Sequence, residues 1–174
     1  RFIESLDFLP DIALCAVGIL GSQIYDEKNL SDSALVMRTN YEGPALFLGE
    51  IASYFEKRGC GSIIGISSVA GIRGRASNYI YGSAKSGFTT FLSGLRNRVY
   101  KKNVNVLTIL PGFVQTKMTS HLELTNILTK NPKSIAELIY QVKFKNKEVF
   151  IFPWKFIMFI IKIIPEKIFI KTKL

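Results

Sequence analysis

Short apolar runs alternate with longer segments of helical periodicity along most of the chain. Three runs, at residues 11–20, 61–67 and 103–110, are almost continuously apolar and end at polar residues, glycine or proline. Continuous apolar runs of this length are typical of strands that are buried on both faces of a parallel sheet. A fourth and shorter run at residues 148–152 predicts a last strand.

The segments between these runs predict the helices. Apolar residues recur at helical spacing over residues 31–58, 79–100 and 132–143,. Gly43 and Pro44 interrupt the first of these segments, and we expect a kink there because proline lacks the N–H group of a helical hydrogen bond. Strands that alternate with helices of these lengths predict an α/β fold with a parallel sheet. Residues 118–129 are predicted to form a flexible segment over the site described next.

Polar and turn-forming residues follow the predicted strands at their carboxyl ends. Ser68 follows the run at residues 61–67, Pro111 and Gly112 follow the run at residues 103–110, and Gly18 lies near the end of the first run. Open parallel sheets bind ligands at this edge. These positions therefore predict one ligand-binding crevice.

Tyr81 and Lys85 lie four residues apart near the start of a predicted helix. Residues at this spacing share a helix face, so we expect the ammonium group of Lys85 beneath the phenol of Tyr81. A free tyrosine has a pKa of about 10, and a nearby positive charge lowers that pKa. Tyr81 is therefore a candidate general acid or base. Tyr79 is a weaker candidate, because its partner four residues on is Ser83.

This ordered set of residues resembles the signature of the short-chain dehydrogenase/reductases. Asn40 matches the upstream Asn of that family, Ser68 matches its Ser, and Tyr81 with Lys85 matches its Tyr-x-x-x-Lys. The resemblance implies a Rossmann-like, doubly wound parallel sheet. It also implies an NAD(P)-dependent oxidoreductase that reduces a ketone to an alcohol.

The resemblance further implies a role for each matched residue. Tyr81 would exchange a proton with the substrate, and Ser68 would orient the carbonyl oxygen. Lys85 would lower the pKa of Tyr81 and hold the nicotinamide ribose, whereas Asn40 would anchor a water molecule that supplies protons through Lys85. No metal ligand is expected. The positions implied to contact the cofactor, NAD or NADP, are Ala16, Gly18, Tyr81, Lys85, Pro111, Gly112, Val114 and Thr116.

The glycine-rich nucleotide-binding turn of the family has no counterpart in the sequence. Gly59 and Gly61 precede a predicted strand instead of following one, so we expect a helix C-cap and a turn there,. The sequence starts at Arg1, and we expect the N-terminal βαβ nucleotide-binding part to be missing ahead of it. This stretch alone is then expected to be inactive or nearly so. Cys15 occupies a position where the family usually has Asn.

The C-terminal segment combines basic and apolar residues. Eight lysines lie in residues 141–174, interleaved with Phe, Ile, Met and Trp, and the net charge of the chain is +10. A nucleic-acid surface would need more arginine and polar groups, so no nucleic-acid partner is expected. The stretch at residues 154–164 would be a helix of about 16 Å, too short for a hydrocarbon core of about 30 Å.

We therefore divide the chain into a partial Rossmann-like domain at residues 1–152 and an amphipathic helical tail at residues 153–174. The tail is expected to lie on a membrane surface, and the alternative is burial against a partner subunit. Cys15 and Cys60 have no metal or redox spacing, which favours reduced thiols in a cytoplasmic protein. A homo-oligomer, peripheral on the membrane, is expected.

The substrate follows from finer similarities. Residues 77–85, 111–122 and 164–169 are similar to family members that reduce keto-sugars linked to polyprenyl phosphate in cell-envelope synthesis. Such a resemblance implies a small-molecule or lipid-linked sugar substrate. Two alternatives remain: a soluble reductase of another ketone or lipid whose tail serves dimerisation, and a non-catalytic membrane-associated protein. His121, the single histidine, is expected to be a surface residue.

Overall fold

A computed structural model describes residues 2–120, 122 and 125–172, and His121 therefore lies outside the described residues. A four-stranded parallel sheet with the order β1-β2-β3-β6 forms its centre, and β4 pairs with β5 beside it. The α/β prediction is confirmed. The strands are β1 (Ile12–Cys15), β2 (Gly61–Ile66), β3 (Val104–Leu110), β4 (Phe113–Val114), β5 (Thr129–Lys130) and β6 (Glu148–Phe150).

Helices cover both faces of the sheet, as a doubly wound fold requires. Neighbouring residues of a strand face opposite sides, and Ile63 packs with helices α3 and α4 whereas Ile64 packs with α5. Both side chains are almost fully buried, which explains the continuous apolar run of β2. The helices are α1 (Gln23–Asp26), α2 (Leu30–Met37), α3 (Gly43–Arg58), α4 (Tyr79–Val99), α5 (Pro132–Val142), α6 (Trp154–Ile163) and α7 (Glu166–Phe169).

The first strand is shorter than predicted. Its ladder with β2 ends at the pair of Cys15 and Gly65, and the remaining apolar residues up to residue 20 form a loop. Gly21 adopts a positive φ of 70° in that loop, a conformation that glycine tolerates best. The chain therefore leaves the sheet early and runs along its carboxyl edge.

The long helix predicted over residues 31–58 is interrupted where Gly43 and Pro44 predict a kink. A π-helical turn at Arg38–Glu42 separates α2 from α3, and Pro44 lies in the first turn of α3, where its missing N–H group costs little. Turns of the π type often occur at functional sites. This one carries Asn40. The expected C-cap is also confirmed, because Gly59 ends α3 in the left-handed conformation.

The C-terminal helices pack against the sheet domain by one face. Trp154 and Met158 of α6 are buried in a cluster with Leu110 and Val69. The opposite face of α6 exposes Phe156, Phe159, Ile160 and Ile163. The amphipathic helix is thus present, and the division of the chain at residue 153 stays a prediction. Within the described residues, no helix has the length and apolar character needed to cross a membrane.

Candidate active site

A cavity of about 1100 Å³ opens at the carboxyl ends of β1, β2 and β3. Ser68, Tyr81 and Lys85 line it, together with the loop that follows β1. The sequence places these three side chains on two different elements, and the fold brings them to one edge of the sheet. The crevice predicted from the strand ends is therefore present.

The hydroxyl groups of Ser68 and Tyr81 lie close to each other, and the interaction with Ser68 lowers the pKa of the phenol. The loop after β2 packs closely on α4, because a Cβ atom on Gly71 would lie only 2.6 Å from the backbone nitrogen of Ser86. This close approach fixes Ser68 beside the first turn of the helix that carries Tyr81. Tyr79 points elsewhere: its hydroxyl group donates to Glu27 at 3.3 Å.

The pKa of Tyr81 shifts in the direction opposite to the one expected from the sequence. Burial raises the pKa of the phenol, and the interaction with Ser68 lowers it by a smaller amount. The ammonium nitrogen of Lys85 lies 5.9 Å from the centroid of the Tyr81 ring, beneath the ring as predicted. It does not overcome the loss of solvent around the hydroxyl group. The net lowering of this pKa that the sequence leads us to expect is therefore not observed, because the effect of burial is larger.

Lys85 is buried without a carboxylate partner among the described residues. Only 4% of the residue is exposed, and its ammonium group donates to the carbonyl oxygen of Ile66 at 3.2 Å. Burial lowers the pKa of Lys85 to about 8, an effect that Cys15 partly opposes. A lysine in such a position is poised to gain or lose a proton near neutral pH.

Asn40 is fully buried beside Lys85. Its side-chain amide donates to the carbonyl oxygens of Ile19 at 2.7 Å and Val36 at 2.8 Å. Among the residues that the structure describes, its Oδ1 atom has no hydrogen-bond partner. A buried acceptor without a partner is costly, so this oxygen is suited to a water molecule or a ligand.

The predicted cofactor-contacting residues all lie around the cavity, and their arrangement fits a nicotinamide nucleotide. A Cβ atom on Gly18 would stand 2.7 Å from Oδ1 of Asn40 and 3.3 Å from Nζ of Lys85. The glycine therefore leaves open the space between the two polar groups. The other predicted contacts, Ala16, Pro111, Gly112, Val114 and Thr116, line the same cavity.

Sequence reasoning missed Trp154 as a wall of the site. Its indole N–H donates to the carbonyl oxygen of Leu128 at 3.1 Å, and its ring meets Phe113 edge to face. A Cβ atom on Gly112 would overlap this ring at 1.9 Å. Gly112 and Trp154 are far apart in the sequence, so no local sequence pattern predicts their contact.

Two polar positions were missed as well. Thr119 donates to the carbonyl oxygen of Val114 at 2.6 Å and closes a capping box with Thr116, so it braces the loop after β3. Arg75 lines the cavity from the loop that precedes α4. Its position between Ser68 and Tyr81 in the sequence could have indicated that it lies near the site.

The doubly wound sheet, with Ser, Tyr and Lys at the carboxyl ends of its strands, places the chain among the Rossmann-like α/β proteins. Sequence comparison is more specific: the model of the family described as short chain dehydrogenase matches residues 4–126. The chain belongs to the short-chain dehydrogenase family.

Individual relatives agree with this assignment. An uncharacterized oxidoreductase of Mycobacterium tuberculosis strain H37Rv is 35% identical over 142 residues, which cover 82% of this chain and 57% of the relative. A 3-oxoacyl-[acyl-carrier-protein] reductase of Bos taurus is 31% identical over 116 residues, which cover 67% of this chain and 48% of the relative. The chain thus spans about half the length of the curated relatives it matches.

Solved structures share the fold. A gluconate 5-dehydrogenase from Burkholderia cenocepacia, determined in complex with NADP and tartrate, superimposes with a TM-score of 0.74 at 18% identity. The match covers 86% of this chain and 66% of that structure. At this identity the likeness concerns the architecture, which confirms the Rossmann-like prediction.

Proposed function

We propose that the protein is an NAD(P)-dependent oxidoreductase that interconverts a ketone and an alcohol. Family membership supports this proposal, and the cavity supplies the side chains that the reaction needs. The observation that carries it is the position of Ser68, Tyr81 and Lys85 on the lining of one cavity, with the ammonium nitrogen of Lys85 5.9 Å from the centroid of the Tyr81 ring. The nicotinamide, when bound, supplies or accepts the hydride.

Each side chain then has a defined task. Ser68 donates a hydrogen bond to the substrate oxygen, and Tyr81 gives that oxygen a proton in the direction of reduction. Lys85 holds the ribose hydroxyl groups of the cofactor, and its positive charge favours the phenolate that Tyr81 becomes. The Oδ1 atom of Asn40, which has no partner among the described residues, accepts a hydrogen bond from a water molecule. This water molecule supplies the proton that replaces the one given by Tyr81.

The test compares two phenols of the same helix in the full-length protein. Tyr81→Phe removes the proton donor, and NADH or NADPH consumption with a panel of ketones should fall about 100-fold or more, in line with the usual contribution of general acid–base catalysis. Tyr79→Phe is the matched control, because this phenol contacts Glu27 instead of the cavity. Equal turnover of the wild type and Tyr81→Phe refutes the proposal.

We also propose that the substrate is a keto-sugar linked to a polyprenyl phosphate, as in decaprenylphosphoryl-2-keto-ribose reductase. Sequence similarity at residues 77–85 and 164–169 supports this choice. Aliphatic and aromatic side chains on the same lining as Tyr81, among them Ile80, Phe113 and Trp154, are compatible with an apolar chain on the substrate. A soluble ketone with no lipid is the competing substrate.

The exposed face of the C-terminal segment supports a peripheral position on a membrane. Phe156 and Phe159 are 65% and 66% exposed, and Lys155 and Lys162 lie along one flank of this face. Apolar side chains beside lysines are typical of helices that lie in the headgroup region. A self-association interface is the competing use of the same face, and either use would place the substrate site beside α6.

Vesicle flotation separates these two uses. Phe156→Ser with Phe159→Ser should reduce the fraction that floats with phosphatidylcholine–phosphatidylglycerol vesicles and leave the oligomeric state unchanged. Phe8→Ser removes a phenylalanine that is 81% exposed outside the C-terminal segment and serves as the control. Unchanged flotation together with a loss of the oligomer would favour the interface instead.

A further inference from the structure

Arg75 lies in the loop between β2 and α4 and lines the cavity of the candidate active site. Its guanidinium group has neither a carboxylate partner nor a side-chain hydrogen bond among the described residues. The residue is only partly exposed, and burial lowers its pKa. A guanidinium group that has lost part of its hydration without gaining a partner is unfavourable, and an anionic ligand would offset this cost.

The neighbouring arginine of the same loop shows that the loop itself is held in place. Arg73 donates to the carbonyl oxygens of Ile161 at 2.5 Å and Ile164 at 2.6 Å, at the C-terminal end of α6. It also pairs with Glu166 at 2.8 Å and stacks on the ring of Phe169 at 3.7 Å. The guanidinium group of Arg73 is therefore bound by the C-terminal helices, whereas Arg75, two residues later, lines the cavity.

The surroundings of Arg75 are suited to an anion. Among the described residues, the lining of the cavity carries the cations Arg75 and Lys85 and the single carboxylate of Asp26, whereas Lys143 lies at the far end of the lining, beside Ser62 near the start of β2. That carboxylate accepts a hydrogen bond from the backbone N–H of Ser22 at 2.8 Å. The side chains of Ser77 and Asn78 lie on the same lining and add polar groups beside the guanidinium.

We propose that Arg75 binds a phosphate group of the substrate, so that the site selects ketones that carry both a phosphate and an apolar chain. Arginine presents paired N–H donors that match two phosphate oxygens. Aliphatic and aromatic side chains, among them Ile24, Ile80, Met118 and Trp154, supply the surface for the chain. The choice of a ketone as the substrate rests on the proposed function. The test does not rest on it, because the test measures binding and not turnover.

The test uses two ligands that differ only in the phosphate. Farnesyl phosphate and farnesol carry the same isoprenoid chain, and inorganic phosphate carries none. Isothermal titration of the full-length protein measures the affinity of wild type, Arg75→Ala and Arg75→Lys for each of the three. Lys101→Ala, which removes an exposed lysine beyond the end of α4, is the matched control for the loss of a positive charge.

Arg75→Ala should bind farnesyl phosphate about 10-fold to 100-fold more weakly, the usual effect of losing a hydrogen bond to a charged group. Its affinity for farnesol should stay within about twofold of wild type. Arg75→Lys should keep part of the affinity, because it preserves the charge but not the paired donors. Inorganic phosphate should bind more weakly than farnesyl phosphate, since it lacks the chain.

Four results would overturn the assignment. Three concern the titrations above: an equal affinity of wild type and Arg75→Ala for farnesyl phosphate, an equal loss for farnesol, and an equal affinity of wild type for inorganic phosphate and farnesyl phosphate. The fourth comes from a parallel titration with NADPH: a loss of NADPH affinity in Arg75→Ala without a loss of affinity for farnesyl phosphate. Circular dichroism of each variant confirms that the fold is retained. Failure of the proposed reaction would be seen separately, as absent turnover in a protein whose phosphate affinity still depends on Arg75.

Discussion

Replacing Lys85 by methionine should stabilise the protein near neutral pH, although it removes a residue of the candidate active site. Lys85 is 4% exposed and has one hydrogen bond, to the carbonyl oxygen of Ile66. Its ammonium group also lies near the rings of Tyr81 and Phe88. A methionine side chain fills a similar volume and carries no charge that burial could penalise.

The size of the effect follows from the pKa of Lys85, which burial lowers from 10.5 to about 8. Below pH 8 both folded and unfolded chains hold the proton, and the folded state bears a desolvation cost of about 3 kcal/mol. Between pH 8 and 10.5 the unfolded chain holds more of the proton, so stability rises with pH. About 2 kcal/mol of the cost should be recovered between pH 7 and 9.5.

Losing the hydrogen bond to Ile66 costs about 1 kcal/mol, so Lys85→Met should be more stable than wild type by about 2 kcal/mol at pH 7. At pH 9.5 the two should be nearly equal. Urea unfolding at both pH values measures this difference, and Lys101→Met controls for the loss of an exposed lysine. A Lys85→Met variant that is no more stable than wild type at pH 7, or whose gain in stability is the same at both pH values, would contradict a desolvation cost at Lys85.

Two further predictions concern the C-terminal segment. Gly112→Ala should lower the free energy of unfolding by about 1–3 kcal/mol, because the new Cβ atom would overlap the ring of Trp154. Thermal unfolding measures this loss. Gly74→Ala is the control, since nothing lies within 4 Å of its Cβ position. Arg73→Ala should speed amide hydrogen exchange in α6 and α7, since it removes the contacts to both helices. Arg98→Ala is the control, because it breaks an ion pair at the far end of α4 and should leave this exchange unchanged. Unchanged exchange in Arg73→Ala would contradict this role.

The sheet could be predicted from the sequence because buried parallel strands leave continuous apolar runs. The helix break at Gly43 and Pro44 and the C-cap at Gly59 were also predictable, since both depend on the backbone of single residues. The length of β1 could not be predicted, because an apolar run does not show where strand pairing ends. The ladder between β1 and β2 stops at Cys15 and Gly65, while the apolar run of β1 continues to residue 20.

The positions of the site residues were predictable to the extent that local spacing determines them. Tyr81 and Lys85 lie one helical turn apart in any helix, but the pKa of the phenol depends on burial by residues far away in sequence. Arg75 and Trp154 show the same limit. Two features depend on the assembled tertiary structure: the guanidinium group of Arg75 has no partner in the described part of the chain, and the indole of Trp154 occupies the space above Gly112.

In the proposed reaction, the hydroxyl groups of Tyr81 and Ser68 together bind the reacting oxygen of the substrate. A crystal structure of the full-length protein with NAD(P) and the alcohol that it forms would test this claim most directly. We expect the alcohol oxygen within hydrogen-bond distance of both hydroxyl groups, and Oδ1 of Asn40 paired to an ordered water molecule. An alcohol oxygen bound away from Tyr81 and Ser68 would contradict it.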